Sequence, residues 1–298
     1  MAINSSDIFI CGLGYLGKKI IQQLNNSDLA NCATLSRRSV EHEWANHYQN
    51  DLDDLPDDIT FNLTDSCLYY LVPPPSTGKL DLRIRCFLQA IDKTNPPERV
   101  ILISTTGIYG NCDDDWVDEQ RVPSPDTDRG RRRLDAEEVL QAWGKQHNVK
   151  VIILRVAGIY GADKLPLKRL QAGTPVLRLD QSPWSNRIHI DDLVQACLKA
   201  RHYTGTAVYF NICDGHPSSM SDYFIRVAKA MNIPVPPQID LDECKRLFSD
   251  NMLSYLLESK KIDNTRMLIE LGVCLEYPDL QTGLSAICLH PDTGENPG

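Results

Sequence analysis

Three glycines at fixed spacing are the first residues in the chain that could do chemistry. Gly12-Leu13-Gly14-Tyr15-Leu16-Gly17 follows the apolar run Ile8-Phe9-Ile10-Cys11 and opens a helical pattern. This is the strand-turn-helix context in which G-x-G-x-x-G holds a dinucleotide pyrophosphate. Gly12 would permit the tight turn, Gly14 would let the backbone approach the pyrophosphate, and Gly17 would let helix and strand pack closely. The amides at the helix start, those of Tyr15 and Leu16 included, would face the anion. A turn that merely happens to be glycine-rich is the alternative. About 20 residues on, where an NAD site places a carboxylate on the ribose 2′-OH, the second apolar run ends in Ser36-Arg37-Arg38. Two guanidiniums and a hydroxyl suit a 2′-phosphate, because arginine bonds phosphate oxygens in bidentate, charge-assisted fashion. The expectation is NADP(H) preferred over NAD(H), against the competing reading of a solvated basic turn.

Other chemistries find little footing. The seven His and ten Cys fall into no ligand spacing and no Gly-x-Ser-x-Gly elbow is present, so neither a metal site nor that kind of nucleophile is expected. His42 and His47, with Glu41 and Glu43, read as a solvated helix face. The acidic stretches Asp51–Asp58 and Asp113–Asp118 lack the order of a calcium loop. The cysteines are scattered singly with no C-x-x-C pair, which suits reduced, mostly buried thiols in a cytoplasmic protein.

The elements that must position these residues are βαβ units. Apolar runs at about Ile8–Cys11, Ala33–Ser36, Cys67–Val72, Val100–Ser104, Val151–Arg155 and Ala207–Ile212 predict strands. Helices are predicted between them at Tyr15–Leu24, Leu80–Lys93 and Arg131–His147, from apolar spacings of three and four. Runs as apolar as Val100-Ile-Leu-Ile103 belong to a parallel sheet covered on both faces, so the fold class is α/β, a Rossmann-type doubly wound sheet. After Gly161 the prolines 166, 175 and 183 break the pattern, and from Asp214 onward the chain reads as mainly helical. The expected division is a nucleotide-binding domain at 1–161 and 187–213, a smaller substrate lobe at 162–186 and 214–290, and a flexible tail at 291–298.

Composition bounds the partners. The 298 residues are 42% apolar and 24% charged, enough for roughly two domains or one large α/β unit. Thirty-one Lys+Arg against 40 Asp+Glu leave a net charge of −9 with no basic stripe, which argues against nucleic acid and anionic membranes as partners. The first residues, Met1 to Asp7, lack a basic, apolar leader, and no run approaches the roughly 20 apolar residues of a membrane span. A cytoplasmic location and a small-molecule substrate are expected.

Several segments in order resemble the extended and atypical short-chain dehydrogenase/reductases, the NAD-dependent epimerase/dehydratase family, and within it the atypical YeeZ-like subgroup. They are Gly12–Gly17, Leu71-Val-Pro-Pro-Pro75, Ser104-Thr-Thr-Gly-Ile-Tyr-Gly110, Trp116-Val-Asp-Glu119 and Leu154-Arg-Val-Ala-Gly-Ile-Tyr-Gly161. Asn186-Arg-Ile-His-Ile-Asp-Asp192, Leu271-Gly-Val273 and Tyr277-Pro-Asp279 complete the series. The resemblance implies nicotinamide at the strand C-termini, with Val72, Pro73 and Ser104 beside the cofactor, and it implies a possible homodimer. The family's catalytic Ser/Thr falls on Thr105, whose hydroxyl could bond a substrate carbonyl; a Thr that finishes a strand and bonds its own backbone is the bland alternative. Tyr109 and Tyr160 fall where family rings pack near the nicotinamide and pocket wall, and Tyr109, Tyr160 and His189 are the candidate proton donors, Tyr109 foremost. Arg187 matches a position that contacts substrate phosphates in extended members, with a salt bridge as the equal alternative.

One family feature is missing. Where a Tyr-x-x-x-Lys pair would stand, anchoring on Ala136-Glu137 places Arg129 and Arg133. Arginine stays protonated and cannot act as the acid-base group. Arg133 could still hold the ribose hydroxyls, and Arg129, on the same helix face, could bind an anionic group of the substrate. His189, between Ile188 and Ile190, reads as a strand histidine held by structural bonds, and Asp191 as the N-cap of the next helix. A non-catalytic NADP(H)-binding sensor is therefore weighed against an oxidoreductase or epimerase.

Overall fold

The structure is a computed structural model and describes residues 2–3, 6–40 and 46–289. The expected tail at 291–298 and the segment containing His42 lie outside the described residues. Seven strands form the central sheet: β1 (Ile8–Cys11), β2 (Cys32–Ser36), β3 (Asn46–Gln49), β4 (Cys67–Tyr70), β5 (Arg99–Thr105), β6 (Lys150–Val156) and β7 (Tyr209–Ile212). Their spatial order is β7-β6-β5-β4-β1-β2-β3, and β1, β2, β3, β4 and β5 pair in parallel. The order runs outward in one direction from β1 and in the other from β4. This is the Rossmann arrangement expected from the sequence, with its switch point between β1 and β4.

The apolar runs form strands because both of their faces are covered. All four residues of β1 and of β4 are buried, and Phe9, Phe61, Phe87 and Tyr70 pack at ring-centroid distances of 5.0 to 6.4 Å. Each such side chain contributes roughly 1.5–3 kcal/mol on burial. Among the helices that bear on the sheet are α1 (Tyr15–Gln22), α2 (Leu82–Ala90) and α3 (Asp128–His147). Asp81 starts α2 by accepting the amides of Arg83 and Ile84, and Thr127 starts α3 by accepting that of Gly130, the usual N-cap chemistry. Arg85 on α2 pairs with Asp135 on α3 at 2.5 Å.

One strand of the central sheet departs from the sequence expectation. His47, expected on a solvated helix face, lies in β3, an edge strand in register with β2 from Ala33↔Asn46 to Ser36↔Gln49. An edge strand needs only backbone pairing on one side, so Asn46-His-Tyr-Gln49 can be polar and still extend the sheet.

The chain divides into two compact units. The first comprises Met1–Ile108, Thr127–Arg155 and Val194–Phe210, and the second Tyr109–Asp126, Val156–Leu193 and Asn211–Gly298. The second unit is held by short strand pairs, Gly158–Tyr160 with Arg187–His189 and Trp116–Val117 with Lys261–Ile262, and by a core in which Tyr160 packs with Phe224, Val227 and Leu284. None of the ten cysteines forms a disulfide; Cys86, Cys274 and Cys288 are exposed and the others buried. Among the described residues, no helix is long and apolar enough to cross a membrane.

Candidate dinucleotide site

The glycine turn sits at the switch point. Gly12 leaves β1 with φ +103°, a left-handed conformation that side chains resist, and a Cβ there would stand 3.0 Å from the backbone nitrogen of Val72. The turn after β1 and the segment after β4 thus meet at the crevice of the switch point, with Gly12 directly against Leu71 and Val72. A Cβ on Gly17 would meet the Gly12 carbonyl at 2.9 Å, the close packing expected there. Gly14 is different: it starts α1 without a side-chain cap, and a Cβ built on it meets nothing within 4 Å.

Open space beside an uncapped helix start, at the C-terminal end of a parallel strand, fits a dinucleotide pyrophosphate. The fit gives a discriminating prediction. Gly14→Ala should leave stability within about 0.5 kcal/mol of the parent in urea denaturation, as a change that touches nothing would. The same variant should lose dinucleotide affinity by about tenfold, because the new methyl occupies the approach path.

The specificity loop follows β2. Arg37 and Arg38 are exposed, and Ser36 Oγ donates to the Arg38 carbonyl at 2.8 Å. On the other side of the crevice, Arg83 of α2 donates Nε to Asp53 at 2.6 Å and Nη1 to the Pro73 carbonyl at 3.0 Å. The Arg83 bond, with Arg37 nearby, holds the Asp53 carboxyl below the usual range. Nothing in the sequence pointed to this tie between the 51–54 loop and the proline segment.

Helix α3 carries the four arginines. Arg133 Nη1 reaches the Val72 carbonyl at 3.3 Å, so the structure brings the residue at the missing lysine's position to the predicted cofactor segment. Arg132 is buried and donates to the Gly78 carbonyl. Arg129 is exposed, and Arg131 pairs with Asp128 one turn away at 2.8 Å. At the end of β5, Thr105 Oγ1 accepts the Gly107 amide at 3.1 Å, the local bond of the bland alternative. Its hydroxyl proton is not used by that bond, so a donor function remains open to it.

Ser104 leads into a buried ion pair that sequence reasoning missed. Ser104 Oγ donates to Glu137 Oε1 at 2.5 Å, and Arg155 Nη2 donates to Glu137 Oε2 at 2.8 Å. The Arg155 guanidinium lies 3.9 Å from the Tyr209 ring centroid.

The candidates in the second unit are turned inward. Tyr109 is 1% exposed and its hydroxyl donates to Asn211 Oδ1 at 2.8 Å, so its proton is engaged in the core in this structure. Tyr160 is fully buried, donates to the Asp279 carbonyl at 3.3 Å and packs in the core of the second unit. Arg187 is 5% exposed, stacks on Tyr223 at 3.9 Å and donates to Ser185 Oγ at 3.0 Å, so its guanidinium is engaged within the unit. His189 packs between Tyr160 and Tyr277. The expected N-cap also shifts: the helix begins at Ile190, so Asp191 lies in its first turn, and the His189 ring accepts the Asp191 amide at 3.3 Å. Among the described residues, no cluster of three or more His, Cys, Asp or Glu could hold a metal.

Comparison with known proteins bears on the fold. No curated protein matches the chain in sequence. A functionally unknown conserved protein from Silicibacter pomeroyi DSS superposes with TM-score 0.76 at 26% identity, over 97% of this chain and 100% of that one. MoeE5 in complex with UDP-glucose and NAD gives 0.73 at 20% identity, over 95% and 97%. UDP-glucuronic acid 4-epimerase from Bacillus cereus in complex with NAD gives 0.72 at 17%, over 97% and 96%. The last two are likenesses of fold. In sequence, residues 83–213 match the model of the NAD dependent epimerase/dehydratase family.

Proposed function

We propose that the chain is an NADP(H)-binding oxidoreductase of the epimerase/dehydratase type that works on a small polar metabolite without the family's Tyr-x-x-x-Lys pair. The observation that carries this reading is the cradle at the switch point, where Gly14 leaves open space at an uncapped helix start and two exposed arginines stand at the end of the neighbouring strand. The NAD named with two structural neighbours supports a nicotinamide dinucleotide, and the Arg37-Arg38 pair supports the 2′-phosphorylated form. Gly12, Gly14, Tyr15, Leu16 and Gly17 would hold the pyrophosphate, with Ser36, Arg37 and Arg38 at the adenosine ribose. Val72, Pro73, Ser104 and Arg133 would line the rest of the crevice.

A bound nicotinamide supplies hydride transfer. The chain's own part is to orient: the Thr105 hydroxyl proton would bond a substrate oxygen, and Arg129 would attract an anionic group. The first unit is in this reading the nucleotide domain, and the second supplies the substrate lobe. UDP-sugars are named with two of the neighbours, which supports a polar substrate class without identifying one.

Calorimetric titration of the purified chain with NADPH and NADH at matched ionic strength tests the cofactor. NADPH should bind at least about tenfold, or about 1.4 kcal/mol, more tightly. Arg37→Ala with Arg38→Ala should bring the two affinities together. Equal binding in the parent would overturn the preference, and no binding of either would overturn the site. A second reading, a non-catalytic NADP(H) sensor, is favoured by two observations: arginines replace Tyr and Lys on α3, and the Tyr109 proton is engaged with Asn211. Hydride exchange between bound nicotinamide and any carbonyl or alcohol in a metabolite screen separates the two.

A further inference from the structure

The edge strand β3 places two side chains on the backbone of the specificity loop. His47 Nε2 lies 3.0 Å from the Arg38 carbonyl oxygen, and its Nδ1 lies 2.8 Å from Thr34 Oγ1. A carbonyl oxygen only accepts, so Nε2 carries the proton and donates to Arg38; in the neutral ring Nδ1 then accepts from the Thr34 hydroxyl. Thr34 is 1% exposed in the neighbouring strand β2, so the ring is anchored from the sheet. Two residues along, on the same face of the strand, Gln49 Nε2 donates to the Arg37 carbonyl at 3.3 Å. Asn50 adds its amide to the Ser36 carbonyl at 3.1 Å. The carbonyls of residues 36, 37 and 38 are all drawn to the sheet edge, while the side chains of Arg37 and Arg38 remain exposed.

We propose that His47 and Gln49 are positioning residues that set the dinucleotide selectivity of the site. By fixing the two arginine carbonyls, they hold the backbone from which both guanidiniums meet a ribose 2′-phosphate together. Bidentate recognition demands such a frame, because a guanidinium carried on a mobile loop loses the geometric part of its advantage. Thr34 acts through His47 by fixing which ring nitrogen donates. The proposal rests on the NADP(H) reading above.

Calorimetry with 2′,5′-ADP and 5′-AMP isolates the 2′-phosphate from the rest of the cofactor. The full chain should prefer 2′,5′-ADP, and His47→Ala should reduce that preference by about tenfold with 5′-AMP affinity unchanged. Gln49→Ala, at an exposed position that should not affect folding, should reduce it several-fold. His47→Gln, which restores an N–H donor, should recover part of it, and Thr34→Val should behave as a weaker His47→Ala. General damage to the fold would lower affinity for both nucleotides and leave their ratio alone, so the ratio is the deciding readout. A parent that prefers 2′,5′-ADP and loses the preference in Arg37→Ala with Arg38→Ala, but keeps it in both His47→Ala and Gln49→Ala, overturns the proposal and spares the NADP(H) reading. A parent with no preference overturns both.

Discussion

Glu137→Leu should destabilise the protein by about 3–5 kcal/mol, the cost of leaving a buried charge without its partner. The side chains of Glu137 and Arg155 are 1% and 3% exposed. With the carboxylate gone, the Arg155 guanidinium would keep its charge, since arginine does not deprotonate in proteins. Stacking on Tyr209 at 3.9 Å offsets part of this penalty, yet it supplies no acceptor for the N–H groups. Arg155→Met should cost less, because an unpartnered carboxyl can take up a proton and become neutral. The double variant Glu137→Leu with Arg155→Met should recover most of the loss, as two well-packed apolar groups often replace a buried pair at little cost. Urea denaturation of the four proteins as a double-mutant cycle gives the coupling directly. A Glu137→Leu protein within about 1 kcal/mol of the parent would sink the assignment. The pair bears on the site because Glu137 also accepts Ser104 Oγ, and Ser104 immediately precedes Thr105 at the end of β5.

That pair also marks the limit of what the sequence reveals. Ala136-Glu137 served only to anchor the arginines of α3 against a family pattern, and nothing in the order of residues said that its carboxylate meets an arginine 18 positions later on β6. The strands of the sheet were legible because burial on both faces writes a continuous apolar run, and the glycine turn because each of its three positions is constrained by backbone geometry. Strand β3 left no such mark. It pairs through backbone alone at the sheet edge, so its side chains are free to be polar, and His47 looked like a solvated residue when it is bonded on both ring nitrogens.

The tyrosines and Arg187 show a different limit. A Tyr-Gly segment fixes where a ring leaves the backbone but not which residues surround it. Tyr109 finds Asn211 and Tyr160 finds Asp279 only when segments more than 100 positions apart are brought together. Arg187, equally suited in sequence to a phosphate or a salt bridge, stacks on Tyr223 and donates to Ser185 Oγ. The identity of a functional side chain is local information, whereas its availability is set by distant neighbours.

Between about pH 5.5 and about pH 8 the protein should lose about 2 kcal/mol of stability through Asp214 alone. The carboxyl is 3% exposed. Its Oδ1 accepts the His216 amide at 2.9 Å, while Oδ2 meets no hydrogen-bond partner among the described residues. Burial pushes the Asp214 pKa up to about 7, against the opposing pull of the His216 amide and of the His216 and Arg187 charges, with Asp279 pushing it further up. An unfolded aspartate titrates near 3.9. The folded value is therefore the higher one, so the folded state binds the proton more tightly. The stability this confers is complete below about pH 3.9 and is lost as pH rises through about 7, a full span of about 4 kcal/mol. Asp192 and Glu119, also raised chiefly by burial, act in the same sense. Asp214→Asn keeps the Oδ1 acceptor and cannot ionise, so it should remove most of the difference between the two pH values. Parallel urea titrations of parent and variant at about pH 5.5 and about pH 8 measure it. If the two proteins show the same pH slope, Asp214 titrates as an ordinary carboxylate and its burial is not maintained in solution.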